Sequence, residues 1–162
     1  MLVLRYTQKL LKDMKVAPVE VEDISSFFSW HVNIMQLRKK HILFVHDASQ
    51  LCIVLDGIRS GQADKLVEKF RIELKEYLLQ EGFKKQLINQ YLLEAGEITI
   101  SRTNNKSVLG TMNEITLYNS VAQSDFSSLL ERNKWLNTII YKPIDYKKPI
   151  NVFRESLNSY YS

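Results

Sequence analysis

The fold is decided by residues 29–57, which read SWHVNIMQLRKKHILFVHDASQLCIVLDG. The first part alternates with the two-residue period of a β-strand. One face receives Trp30, Val32 and Ile34, and the other receives His31, Asn33 and Met35. Residues 41–46 are apolar on both faces, which is typical of a central strand covered on both sides. With turn-forming residues between the runs, the stretch predicts a three-stranded antiparallel meander.

The rest of the chain predicts two more strands and a set of helices. The strands are expected at residues 2–6 and 97–103. Apolar residues at helical spacing predict helices at 8–15, 63–81, 84–95 and 107–122, the first capped by Thr7. Ser124 is expected to cap another helix, whose apolar stripe consists of Phe126, Leu129, Leu130, Leu136 and Ile140. A last short helix begins at Pro149, which suits a first helical turn.

This order of elements predicts an α+β fold in a single domain spanning residues 1–162. We expect a mostly antiparallel sheet of about five strands, packed with helices, and an all-helical C-terminal portion. Residues 1–123 would form the α+β body, and residues 124–162 a helical segment packed on it.

Composition narrows the class of protein. The chain has 162 residues, 45% of them hydrophobic and 25% charged, which is ordinary for a soluble globular domain. The N-terminal apolar run is too short for a signal peptide, and no stretch approaches the ~20 apolar residues of a membrane helix. We therefore predict a cytoplasmic protein that does not bind membranes. The formal net charge of +4 is compatible with an acidic partner such as nucleic acid.

Polar side chains concentrate in residues 102–113, which read RTNNKSVLGTMN. This stretch runs from a strand end, through a polar turn, into a helix, where free backbone N–H groups and the helix dipole favour anions. With Arg102 and Lys106 nearby, a phosphate would fit there. The alternative is structural: Asn104 and Asn105 supply turn geometry and Ser107 caps the helix.

Familiar catalytic patterns are missing from the sequence. It contains no glycine-rich phosphate loop, no nucleophile elbow and no zinc-binding helix motif, and we predict no cofactor and no metal. The three histidines lack helical ligand spacing. His46 and Asp47 are a weak pair for general base chemistry, because adjacent strand residues point to opposite faces.

Residues 104–113 resemble the signature of a bacterial family catalogued only as a domain of unknown function, Asn-Asn-Lys/Arg-Ser-Val-Leu-Gly-Ser/Thr-Met-Asn. Similar segments occur at residues 4–11, 29–33, 42–45 and 146–150, so the resemblance spans nearly the whole chain. It implies one domain, and it brings no known activity, cofactor or catalytic residue. Some members of the family are associated with plasmids and phages.

The resemblance also suggests candidate binding residues. Together with Arg102 they are Trp30, His31, Asn33, Asn104, Asn105, Lys106, Ser107 and Asn113. Our hypothesis is that the strand at 30–33 lies beside the strand at 97–103, so that these side chains converge in one shallow polar site.

Among three functions, the sequence favours a small binding module for nucleic acid or another phosphate-bearing partner. That function predicts a basic patch joining Arg102 and Lys106 to Lys39 and Lys40. Binding that depends on such a patch would weaken steeply with salt.

Two alternatives stay open. A protein-interaction or inhibitor protein of mobile-element or phage–host systems would expose Phe27, Phe28 or the tail residues Tyr160 and Tyr161. An enzyme acting on a phosphate-bearing small molecule would use His31 as its base and the asparagine-rich turn as a clamp. The sequence favours a protein that is not an enzyme.

Overall fold

A computed structural model describes residues 1–122, 128–139 and 141–162. The strands are β1 (Leu2–Tyr6), β2 (Ser29–Gln36), β3 (Lys40–His46), β4 (Cys52–Asp56) and β5 (Ile98–Arg102). The helices are α1 (Gln8–Met14), α2 (Ala63–Gln80), α3 (Lys85–Ala95), α4 (Lys106–Ala122), α5 (Leu129–Leu136) and α6 (Pro149–Tyr160). Short 3₁₀ turns occupy Ser26–Phe28 and Lys142–Ile144. The chain is therefore a single α+β domain with a helical C-terminal portion, as predicted.

The five-stranded sheet has the order β4-β3-β2-β1-β5. Strands β2, β3 and β4 form the predicted antiparallel meander. Strand β1 pairs in parallel with both β2 and β5, so the sheet is mixed. Every residue of β1 is buried, as in a central strand, and β1 takes the position between β2 and β5. The prediction that the 30–33 strand lies directly beside the 97–103 strand is therefore wrong.

Helices cover both faces of the sheet. The first face, which we call the aromatic face, packs against α1, α2, α3 and α6, and its core includes Trp30, Phe44, Phe70, Tyr91 and Phe153. The second face, which we call the α4 face, packs against α4 and α5 through a smaller apolar cluster. That cluster includes Met35, Leu43, Val45, Val108, Met112 and Leu136. As predicted, β3 is buried on both sides.

Capping side chains explain where several helices begin. Thr7 Oγ1 accepts a hydrogen bond from the Leu10 N–H at 3.3 Å, which caps α1 as predicted. Helix α5 is capped by Ser128, whose Oγ accepts from the Glu131 N–H at 3.1 Å. The predicted cap Ser124 and the predicted stripe residues Phe126 and Ile140 lie outside the described residues. Within the described part of the chain, no helix combines the length and the apolar character needed to cross a membrane.

Candidate functional site

The polar turn between β5 and α4 is hydrogen-bonded to the sheet through His31. The Asn104 backbone N–H donates to His31 Nε2 at 3.2 Å, and His31 Nδ1 lies 2.7 Å from Asp47 Oδ1. A backbone N–H can only donate, so Nε2 is the acceptor and Nδ1 carries the proton that is donated to Asp47. The His31 side chain is fully buried and that of Asp47 is 8% exposed. His31 therefore connects the turn to a buried carboxylate.

Arg5 lies beside His31 on the α4 face, where the β-sheet register pairs it with His31 on one side and Ser101 on the other. The residue is only 6% exposed. Its Nε donates to Ser29 Oγ at 3.3 Å, and its Nη1 donates to the Arg102 carbonyl at 3.2 Å. Within the described residues no salt bridge joins it to a carboxylate. This buried cation therefore fixes the carboxyl end of β5 by bonding its backbone.

Asn105, and not Ser107, caps α4. Asn105 Oδ1 accepts from the N–H groups of Ser107 and Val108 at 3.0 and 3.2 Å, and its carbonyl accepts from Leu109. The prediction that Ser107 is the cap is wrong, because Ser107 already lies inside the first helical turn. Asparagine and serine are equally good caps, so the choice between them depends on where the turn ends. The cap uses two backbone donors that an anion would otherwise bind.

The other predicted site residues do not lie together in the structure. Trp30 lies on the aromatic face, buried, with its indole N–H donating to the Tyr91 hydroxyl at 3.0 Å. Asn33 Oδ1 accepts from Thr7 Oγ1 at 2.6 Å and from its neighbour's backbone N–H at 2.8 Å. Lys106 and Asn113 are exposed on α4. The structure therefore brings His31 to the Asn104 backbone and leaves Trp30 on the other side of the sheet.

A cleft of about 440 Å³ lies beside the carboxyl end of β5. The loop after β1 leads to α1 on the aromatic face, and the loop after β5 leads to α4 on the opposite face. The cleft itself lies on the α1 side, between α1, the segment that follows α1 and the last residue of β5, and no residue of the turn before α4 lines it. The cleft is lined by Gln8, Leu11, Lys12, Lys15, Val16, Ala17, Pro18 and Arg102.

Positive charge dominates this cleft. Lys12, Lys15 and Arg102 are exposed, and none of the lining residues is acidic. One carboxylate approaches from outside, with Glu20 Oε1 3.8 Å from Arg102 Nε, and both side chains are largely exposed. An ion pair this exposed contributes little and leaves the arginine available. The sequence predicted Arg102 but missed Lys12 and Lys15, whose only signal was lysine at every third position of a short helix.

The basic hairpin turn at 38–40 lies near the same helix. Lys40 Nζ donates to Asp13 on α1, and Ser60 Oγ donates to the same carboxylate at 2.7 Å. Burial works to raise the pKa of Asp13, but these hydrogen bonds and the charges of Lys40 and Lys9 lower it below its ordinary value. Helix α1 therefore connects the hairpin turn to the cleft, whereas Lys106 does not line it.

Fold and cleft together define a small α+β domain with a basic cleft between α1 and the carboxyl end of β5. The chain belongs to the family described as a domain of unknown function (DUF6933), whose family model matches residues 3–152. This match confirms the family resemblance, and it covers the sheet from the second residue of β1 onward, together with the cleft and the β5–α4 turn. No curated protein and no solved structure matches the chain.

Proposed function

We propose that the protein is a binding module for nucleic acid, with the backbone phosphates held at the basic cleft. One observation carries the proposal: three exposed cations line a crevice that has no acidic residue in its wall. Lysine and arginine side chains in such a position neutralise phosphates and release their counterions. The net charge of +4 favours the same class of partner.

A polymer suits this surface better than a small phosphate compound. The cations continue beyond the cleft, because Lys9 is exposed on α1 and Arg38 and Lys39 are exposed at the hairpin turn. The remaining lining residues are mostly apolar and carry few hydrogen-bond donors that would select one small molecule. The expected binding is therefore electrostatic, weakly dependent on base sequence and strongly dependent on salt.

The alternative of an enzyme with His31 as its base receives no support from the geometry. Both ring nitrogens are already hydrogen-bonded, to Asp47 and to the Asn104 N–H, and the ring is fully buried. A general base needs a free lone pair within reach of its substrate.

The alternative of a protein-interaction or inhibitor protein has two exposed surfaces in its support, one at the tail that the sequence suggested and one on α4. Phe27 and Phe28 are buried, and Tyr160, although 50% exposed, stacks on Phe27 at 4.6 Å. Leu117 and Val121, one helical turn apart on α4, are 61% and 82% exposed and favour a protein partner there. The cytoplasmic location and the bacterial mobile-element setting belong to the proposal as predictions, based on the sequence and on the family resemblance.

The test compares two variants with the same change of charge. Lys12→Gln/Lys15→Gln alters the cleft, and Lys84→Gln/Lys85→Gln alters exposed lysines at the start of α3. The control lies at the far end of α2, whose 18 residues span roughly 27 Å. Binding of labelled single- and double-stranded oligonucleotides is followed by fluorescence anisotropy over a salt series.

We expect the cleft variant to bind on the order of tenfold more weakly near physiological salt. The slope of log affinity against log salt should fall by about one for each lysine lost. The control variant should bind as the wild type does. Equal losses in the two variants, or no measurable binding by the wild type, would reject the proposal.

A further inference from the structure

The outer edge of β4 is covered by side chains in place of a neighbouring strand. β4 is the last strand of the sheet, so alternate backbone groups along it have no strand partner. Asn137 Oδ1 accepts from the Cys52 N–H at 2.7 Å, and Asn137 Nδ2 donates to the Cys52 carbonyl at 2.9 Å. Asn133 Oδ1 accepts from the Val54 N–H at 3.0 Å. A primary amide thus makes the two bonds that a strand residue would make.

Helix and strand spacings explain why Asn133, inside α5, and Asn137, the residue that follows α5, can do this. Residues four apart on a helix rise about 6 Å, and residues two apart on a strand rise about 6.6 Å. Asn133 and Asn137 are four apart, whereas Cys52 and Val54 are two apart, so each amide lies opposite its own backbone group. Helix α5 and the residue after it therefore run along the edge, where they bond the outward N–H groups of Cys52 and Val54.

Further contacts hold the two asparagines in place and bond another backbone group on the outer edge of β4. The Asn133 and Asn137 side chains are buried, at 3% and 0% exposure. The Tyr77 hydroxyl, from α2, accepts from Asn137 Nδ2 at 2.9 Å and so orients the amide. Further along β4, Lys69 Nζ donates to the Asp56 carbonyl. Three outward positions of β4 are thus bonded by side chains.

We propose that Asn133 and Asn137 form an edge lock, which occupies the place of a sixth strand and prevents β4 from pairing with the β4 of a second copy of this chain. Free strand edges are templates for intermolecular pairing, and proteins cover them for that reason. β4 fits a second copy, because two antiparallel β4 strands related by a two-fold axis at Val54 would set Val54 opposite its counterpart and Ile53 opposite Leu55, so that apolar residues meet. Such a pair would also continue the antiparallel order of β2, β3 and β4.

The test removes the amides and then blocks the edge by another route. Asn133→Ala/Asn137→Ala leaves the Cys52 and Val54 backbone groups on the outer edge of β4 without these partners. Adding Val54→Pro removes an N–H that points away from β3, toward Asn133, and so leaves the β3–β4 ladder intact. Asn151→Ala/Asn158→Ala, on exposed positions of α6, is the matched control. Molar mass is measured by light scattering over a range of concentrations.

We expect the double alanine variant to reach twice the wild-type mass as concentration rises. The Val54→Pro addition and the control should both keep the wild-type mass. A double variant with the wild-type mass at every concentration, or dimers that persist with Val54→Pro, would overturn the proposal.

The single variant Asn133→Ala keeps the test decisive if the double variant does not fold. It releases only the Val54 N–H, so hydrogen exchange at that amide should rise at least tenfold and weaker self-association should appear. Unchanged mass in this variant would show that the asparagines only stabilise the monomer, and the edge lock would then be rejected.

Discussion

His31 and His46 are both fully buried on paired strands, yet they lie on opposite faces of the sheet. The His46 ring packs on the aromatic face, 4.9 Å from Trp30 and 5.0 Å from Phe153 between ring centroids. Its Nδ1 accepts from the Ser49 hydroxyl at 2.7 Å, and its Nε2–H donates to the Phe27 carbonyl at 2.8 Å. His31, on the α4 face, bonds a carboxylate and a turn.

The two histidines therefore have different roles, because His46 packs within the core whereas His31 holds a turn in position. His46 bonds residues of its own hairpin and of the short 3₁₀ turn before β2, so its role is to complete an aromatic core. His31 joins β2, the turn after β3 and the turn before α4, which are far apart along the chain. The same side chain with the same burial therefore stabilises the core on one face and holds the turn before α4 on the other.

The largest expected effect is the pH dependence of stability that His46 produces. Burial lowers its pKa from the ordinary 6.5 to about 4, against the opposing influences of the Phe27 carbonyl and Asp47. Because the folded pKa is depressed, the unfolded chain binds more protons between these values, so stability is complete above pH 6.5 and is lost as pH falls toward 4. We expect a loss of about 3 kcal/mol in the free energy of unfolding, measured by chemical denaturation across that range.

His46→Gln is the control, because it removes the titrating group and should flatten the profile in this window. The lowered pKa values of Asp13 and Asp56 act at lower pH, below the ordinary carboxyl value of 3.8. A wild-type profile as flat as that of the variant would contradict the neutral, buried state of His46.

A smaller effect is expected on the other face, from His31→Ala. The substitution leaves the buried Asp47 carboxylate and the Asn104 N–H without partners, which typically costs about 1–3 kcal/mol. The local measurement is hydrogen exchange at the Asn104 amide, which should become faster. His41→Ala provides the comparison, because His41 bonds Asp56 on the same face and has no bond to the turn. If both variants accelerate exchange at Asn104 equally, His31 does not position the turn.

Much of this fold follows from local patterns. The meander, α2 and α3 were predictable because apolar residues recur with the period of a strand or a helix over many residues. The place of β1 was not, since a parallel strand in the middle of a sheet depends on partners that are distant along the chain. The mixed sheet, and the separation of β2 from β5, follow from that one placement.

The candidate site was less predictable for the same reason. Asp47 was considered with its neighbour His46, but the β2–β3 register carries it past the end of β3 to His31. Lys12 and Lys15 were missed, because the segment 16–18 and Arg102, which complete the wall of the cleft beside them, come together only in the folded chain. Residues in the 102–113 stretch were identified, but which of them caps the helix depended on the turn.

The smallest expected effect on stability concerns the cap of α4. It is measured by replacing three neighbouring side chains in turn. Asn105→Ala removes the cap of α4 and should lower the free energy of unfolding by about 1 kcal/mol. Asn104→Ala should change it by less than about 0.5 kcal/mol, because only its backbone N–H is bonded to His31. Ser107→Ala should be equally mild, since Ser107 is exposed in the first turn. Denaturant titrations of the three variants rank them directly, and a larger loss at Ser107 than at Asn105 would restore Ser107 as the cap.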